Sequence, residues 1–518
     1  MNTIATERQD KQKQWLYWAL FLALFGLVNF FSSGRWVFAP AAWLGTVLTL
    51  RYLHGQTGWR PWVPFYLVLW LSTAVAWVDA TPMPGVAHWV FMGINTLIAL
   101  VPFALERWLV RRLDRAYAGD LPFAATLILP ALLVGQEFLT TSSNPIGNFG
   151  AAGYSQFGFA PFVQLTAVTG LLGLTFVMAW FASVVNWVWT YHRFNWGRVW
   201  RGVAVYTAVF LLVLAYGTAR LLTAPAPASA TSDNTVAVAS FTLHSLNPEE
   251  MFPLYESDLA AFRTETQTRH ADYLAETAVV AANGAKIVLW PEGAGLGVEE
   301  DVNQLLAQGQ ALADQYDIYL AMPVFTLFAD SERPAENVLY IADPAGEIVL
   351  THVKYGGNAL EGTLAGNGEL QAIETPYGTL SGVICWDTDF PATVRQAGEM
   401  GVDILLSPAR DWAGIDPMHG QMATFRAVEN GMAVIRQADG GWSVTADAYG
   451  RVLNESPVDV AYQTSAISTQ GVPTLYAQFG DWLGWFSLAL FALLGGWALV
   501  AGLQHGRVAK TVGTLVRQ

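Results

Sequence analysis

Apolar positions follow two different patterns along this chain. Up to about residue 222, and again at 483–503, they form runs long enough to cross a bilayer as helix, which takes about 20 residues. These runs fall at 15–32, 36–53, 61–79, 86–105, 121–139, 162–189, 202–222 and 483–503. They predict about eight spans, the first two joined as a tight helical hairpin through Ser32-Ser33-Gly34-Arg35. Between the last two runs the pattern changes to short β-prone stretches alternating with amphipathic ones. Strands are expected at about 236–241, 286–290, 317–324, 337–343, 347–353, 380–384, 402–406, 433–438 and 442–448, and helices at about 257–283, 302–316, 391–400 and 418–430. Strands alternating with helices and interrupted by hairpins indicate an α/β domain of layered sheets. The expected organisation is a membrane domain of seven spans at 1–222, a Pro/Ala/Ser linker at 223–233, the α/β domain at 234–482, an eighth span at 483–503 and a tail at 504–518.

Composition supports this division. With 53% hydrophobic and 13% charged residues, the chain is too apolar for an ordinary soluble enzyme. Basic residues cluster in alternate connections: Arg8/Lys11/Lys13, Arg51/Arg60, Arg107/Arg111/Arg112/Arg115, Arg193/Arg198/Arg201 and Arg507/Lys510/Arg517. These hold 15 of the 27 Lys and Arg, so by the positive-inside rule they face the cytoplasm. Both termini are then cytoplasmic and the α/β domain is extracytoplasmic, with Arg35 and Arg220 too few to reverse the bias. The first span is followed by no small-residue cleavage site and reads as an uncleaved anchor. The polar segment 233–482 carries 34 acidic against 10 basic residues, which accounts for the net charge of −14. That excess reads as a solvated surface, and the absence of basic runs with interleaved aromatics excludes nucleic acid as a partner. The 8 histidines show no ligand spacing, so no metal and no other cofactor is expected. Glu137, near the end of the fifth run, would be costly facing lipid; it either lines a cleft or hydrogen-bonds inside the bundle.

The chemistry-bearing residues fall at strand ends. Cys385 is the one cysteine in the chain, so it forms no internal disulfide and is either a buried small residue or a reactive group. It ends a β-prone run, while Glu292 follows another and Lys354 closes a hairpin strand. Converging there, the carboxylate takes the thiol proton, the ammonium stabilises the thiolate and a developing oxyanion, and the sulfur attacks a carbonyl.

The order and spacing of Trp290-Pro291-Glu292, His352-Val353-Lys354 and Val383-Ile384-Cys385 resemble the nitrilase (carbon–nitrogen hydrolase) superfamily. The resemblance implies a Glu-Lys-Cys triad on an α-β-β-α sandwich. Within it the chain looks like the apolipoprotein N-acyltransferase family, through the segments 153–156, 164–176 and 419–431 and through Gly480-Asp481 before the last run. That likeness implies Glu292 as general base, Lys354 as oxyanion stabiliser and Cys385 as nucleophile. It also implies transfer of an acyl chain from a phospholipid to the N-terminal amine of a diacylglyceryl-cysteine apolipoprotein, in a bacterial cytoplasmic (inner) membrane.

Three segments depart from the family pattern. Tyr355-Gly356-Gly357-Asn358-Ala359-Leu360-Glu361 stands in place of the usual segment after the lysine, with Glu361 displaced by one position. Asp387 follows Trp386 where the family tends to have Glu, and Arg410 precedes Asp411-Trp412. Glu361, Trp386, Asp387, Trp412 and Tyr154 are the candidate substrate-binding or lid residues. Two other readings stay open: a membrane-tethered amidase or thioesterase that uses water, and an inactive lipid-binding relative.

Overall fold

The computed structural model describes residues 2–227, 234–245, 247–330, 332–457 and 462–515, so residues 228–233 of the expected linker and 516–518 of the expected tail lie outside the described residues. Helices stand at all eight apolar runs, and five of them are long and apolar enough to cross a membrane: Val86–Ala116, Phe123–Thr141, Leu172–Tyr191, Trp196–Thr223 and Trp482–Gln504. The expectation of eight full spans is therefore met at full length by five among the described residues. Trp62–Ala76 is apolar but has 15 residues, and Ala39–Gly55 has 17. The run expected at 162–189 is also interrupted. Two single turns, Ala160–Val163 and Thr166–Thr169, precede the long helix, because Gly170 at φ +63° breaks the backbone before Leu171. Leu20, Leu24, Leu67, Leu71, Ile94, Leu97, Leu212 and Leu493 stand exposed on these helices, as side chains facing lipid would.

The α/β part contains thirteen strands among the described residues: β1 (Thr235–Phe241), β2 (Ile287–Leu289), β3 (Gly295–Val298), β4 (Tyr319–Leu327), β5 (Glu336–Ala342), β6 (Ile348–Val353), β7 (Ala372–Thr375), β8 (Gly378–Gly382), β9 (Ile404–Arg410), β10 (Ala433–Asp439), β11 (Ser443–Ala446), β12 (Val452–Ser456) and β13 (Tyr462–Ser468). One sheet runs β13-β1-β2-β4-β5-β6 with β3 against β4, and the other runs β12-β11-β10-β9-β8-β7. The period of two along each strand explains how they stack. Val236 and Val238 of β1 face inward against Ile404 and Leu406 of β9 and Ile435 of β10, in one core between the sheets. Ala239 and Phe241 face out, onto the helices Leu259–Ala282 and Glu299–Tyr316. On the far side, Leu405 and Val434 meet the helices Pro391–Glu399 and Met418–Asn430. The result is an α-β-β-α sandwich.

The helix expected at 257–283 stands at Leu259–Ala282, and a separate helix outside those bounds, Pro248–Ser257, precedes it; each is started by an Asn247 or Asp258 side chain that accepts a backbone N–H of the first turn. The layer formed by Met418–Asn430 has a second role. Met422, Phe425 and Val428 on its outer face pack with Tyr154, Phe162, Leu171 and Leu174 of the helical part. The helix is therefore buried nearly all round. It ends at Gly431, φ +69°, where a Cβ would lie 1.7 Å from the Val472 carbonyl oxygen.

Candidate active site

The parallel strands β2 and β8 deliver residues at their carboxyl ends, the usual edge for ligand chemistry in such sheets. Glu292 follows β2 through Trp290-Pro291, Cys385 follows β8, and Lys354 follows β6. All three are buried. Lys354 Nζ donates to Glu292 Oε1 at 2.7 Å and also to Glu361, and Asn337 Nδ2 donates to the same Glu292 oxygen at 2.7 Å. Burial alone would lower the Lys354 ammonium, but the Glu292 and Glu361 carboxylates outweigh it and hold its pKa above the ordinary value. Burial raises the Glu361 carboxyl, against the pull of Lys354.

Cys385 opens a single 3-10 turn with φ +46°, a left-handed conformation that a residue with a Cβ adopts at a cost. Burial and the charge of Glu292 raise its thiol pKa, while Lys354 and His419 act in the opposite sense. The resting thiol is thus protonated and depends on a base beside it. Its Sγ lies 3.5 Å from the Arg410 carbonyl oxygen.

A second buried group lies against Cys385. His419 bonds through Nδ1 to Asp411 at 2.9 Å and through Nε2 to Asp389 at 3.0 Å, and Arg436 Nη2 donates to Asp411 at 2.7 Å. A carboxylate on each ring nitrogen favours the cationic form of His419. Burial opposes that charge, yet the two carboxylates hold its pKa well above the ordinary value. Burial likewise raises Asp411, and Arg436 with His419 reverses this and holds it well below the carboxylate range. Cys385, Asp411 and His419 present ligand-type atoms within 4.8 Å of one another. Both ring nitrogens are already engaged and a guanidinium sits on Asp411, so the group is an ion-pair network and offers no open metal site.

The remaining expected residues divide by what they touch. Asp387 is fully buried: it accepts from the Tyr355, Gly356 and Ile384 backbone N–H groups at 2.9, 2.6 and 2.8 Å and from His352 Nε2 at 2.7 Å. It ties the segment after Lys354 to the turn that carries Cys385. The Trp386 ring lies tilted against Trp412 and edge-on to Phe149, and Trp412 Nε1 donates to the Asp79 carbonyl in the helical part. Tyr154 sits where the helical part packs on the α/β part, donating to Asn148 Oδ1 at 2.8 Å and accepting from Arg426 Nη2 at 2.8 Å. The loop at 142–151 reaches the α/β part: Asn148 N–H donates to the Asp389 carbonyl, and the Phe149 ring meets Trp386 and His419.

A cavity of about 510 Å³ opens beside this loop, lined by Phe138, Leu171, Tyr355, Asn358, Phe390, Glu429 and Asp481 among others. Glu137 lines it and also accepts from Thr175 Oγ1 at 2.9 Å, so both expectations for that residue hold. Burial pushes Glu429 up to about 7, with Arg426 pulling the other way. The network of Asp389, Asp411, His419 and Arg436 went without a role in the sequence. Its members come from four separate segments, and the one signal was the polar content of an otherwise apolar 405–437 stretch.

Residues 238–471 match the carbon–nitrogen hydrolase family. The chain is similar to an apolipoprotein N-acyltransferase of Geobacter metallireducens, 24% identical across 85% of this chain and 84% of that one. A namesake from Brucella melitensis biotype 1 is 29% identical over 33% of this chain and 38% of its own. The crystal structure of an amidase from Nesterenkonia sp. covers 48% of this chain and 95% of that chain, at 20% identity and a TM-score of 0.38.

Proposed function

With a carbon–nitrogen hydrolase domain at 238–471, in a membrane protein similar over most of its length to apolipoprotein N-acyltransferases, we propose that this enzyme moves a fatty acyl chain from a phospholipid to the N-terminal amine of a diacylglyceryl-cysteine apolipoprotein. The observation that carries this reading is the buried Lys354–Glu292 contact at 2.7 Å beside the single cysteine. Glu292 takes the thiol proton, and Cys385 sulfur attacks the ester carbonyl. Lys354 and a backbone N–H hold the tetrahedral oxyanion. The C–O bond then breaks, Glu292 returns the proton to the departing lysophospholipid, and the acyl group remains as a thioester. In the second half the amine attacks this thioester, Glu292 accepts its proton, the C–N bond forms and the thiolate leaves to be reprotonated.

The other candidate residues take supporting roles. Asp387 positions the two loops against each other, Glu361 restrains Lys354, and Trp386 with Trp412 walls the mouth. Glu361 reaches Lys354 despite the altered segment around it, which favours the acyltransferase over an amidase with a degraded lid. We place the α/β domain on the outer face of a bacterial cytoplasmic membrane with both termini inside, on the distribution of basic residues.

Intact-protein mass spectrometry of wild type and Cys385→Ser, purified with membrane lipid, tests the scheme. The expected result is a fatty-acyl adduct on wild type, released by hydroxylamine and absent from the variant. A wild type that stays free of adduct with the amine acceptor withheld sinks the thioester step. Adduct turnover to free fatty acid, with no modified amine, assigns water as the acceptor.

A further inference from the structure

The helix Val86–Ala116 carries Arg107, Arg111, Arg112 and Arg115 on its last turns, and all four line one cavity of about 590 Å³ with Trp62 and Trp108. This cavity is far from the chemistry. Gly502, also on its wall, is 20 residues along the helix that leaves the α/β part at Trp482, which places it about 30 Å away along the helix axis.

Positive-inside topology explains basic residues at such an end, but it does not explain the burial of Arg107. Arg107 is 5% exposed, and its Nη1 has no hydrogen-bond partner; the buried Arg112 Nε has none either. Among the described residues, none of the four arginines has a carboxylate within 4.0 Å, while the nearby Glu106 is bonded to His54 at 2.7 Å. Arg107 and Arg111 instead both donate to one oxygen, the Gln56 carbonyl, at 2.7 and 2.5 Å. Two like charges share an acceptor, and two buried guanidinium N–H groups face none. A desolvated charge left this way is strongly unfavourable unless an anion completes it. The indole rings of Trp62 and Trp108, 5.4 and 4.1 Å from the Arg107 and Arg112 guanidinium carbons, hold these forks in place.

We propose that this cavity binds a phosphate-bearing anion, supplied by the head group of an anionic phospholipid in the leaflet opposite the α/β domain. Guanidinium forks match phosphate oxygens in pairs, and the bilayer interface at that end supplies such groups at high local concentration. The site is independent of the proposed acyl transfer.

The test uses the full chain in a non-ionic detergent, with native mass spectrometry to count retained lipids. Phosphatidylglycerol, phosphatidylcholine and inorganic phosphate are added in separate arms. Phosphatidylglycerol is expected to remain bound in preference to phosphatidylcholine, and Arg111→Gln/Arg115→Gln is expected to lower its occupancy about tenfold or more, each arginine near a lipid surface contributing its own share. The double variant spares the deeply buried Arg107, and its unchanged thermal unfolding midpoint in detergent alone confirms that it folds. Equal retention of both lipids, or equal occupancy in wild type and variant, overturns the site. Displacement of phosphatidylglycerol by millimolar phosphate, with phosphate alone raising the midpoint as far as the lipid does, overturns the lipid source and leaves the free anion as ligand.

Discussion

Two carboxylates favour the charged form of His419 in a fully buried place, and its effect should be readable at the neighbouring sulfur. It acts on Cys385 in the sense that lowers the thiol pKa. His419→Gln is therefore expected to move the pH profile of Cys385 alkylation by iodoacetamide to higher pH, an effect that a purely structural role would not produce. The same network sets the pH range of stability. Asp411 contributes above the ordinary carboxylate pKa of about 4 and loses that contribution as pH falls through its lower folded value. His419 contributes fully below about 6.5 and loses its contribution as pH rises through its raised folded value. The thermal midpoint is expected to drop on the alkaline side in wild type, and this alkaline drop should be missing in His419→Gln. At this scale Glu292, Lys354 and Cys385 stood out in the sequence because each ends or follows a β-prone run, and the structure buries all three. The network did not, because charge pairing between residues 389, 411, 419 and 436 is a property of packing and leaves no spacing to read.

Among the elements, Met418–Asn430 is under the most constraint, with the second sheet on one face and the helical part on the other. Phe425→Ala removes a fully buried ring from that seam and is expected to cost about 3–5 kcal/mol, measured by thermal or denaturant unfolding in detergent. Gly431→Ala adds strain from both the positive φ and the close Val472 carbonyl, so its loss should exceed the ~1–2 kcal/mol of a left-handed residue in open space. Hydropathy marked every helix position near the membrane, yet it could not see the break at Gly170, which depends on a local backbone turn inside an unbroken apolar run. The short helix Pro248–Ser257 also went unread, with Pro253 inside it. The edge strands β7, β12 and β13 and the short β3 also escaped notice, since their residues are too polar or too few to show a period of two.

For the molecule as a whole, the α/β sandwich is joined to the helices by polar contacts as well as by apolar packing. Tyr154 bridges Asn148 and Arg426, Leu171 N–H donates to Glu429 Oε1 at 2.9 Å, and Gln164 Nε2 donates to the Tyr449 carbonyl at 2.9 Å. Tyr154→Phe strips a partner from a buried guanidinium and is expected to cost about 1–3 kcal/mol, with faster proteolysis in the 142–159 loop as the signature that docking has loosened. The sandwich enters from one long helix, Trp196–Thr223, and leaves by another, Trp482–Leu515. For the proposed lipid-bearing reactants, these two attachments turn a three-dimensional search into a planar one, in which substrate held in the membrane meets the cysteine at an effective concentration set by the anchors.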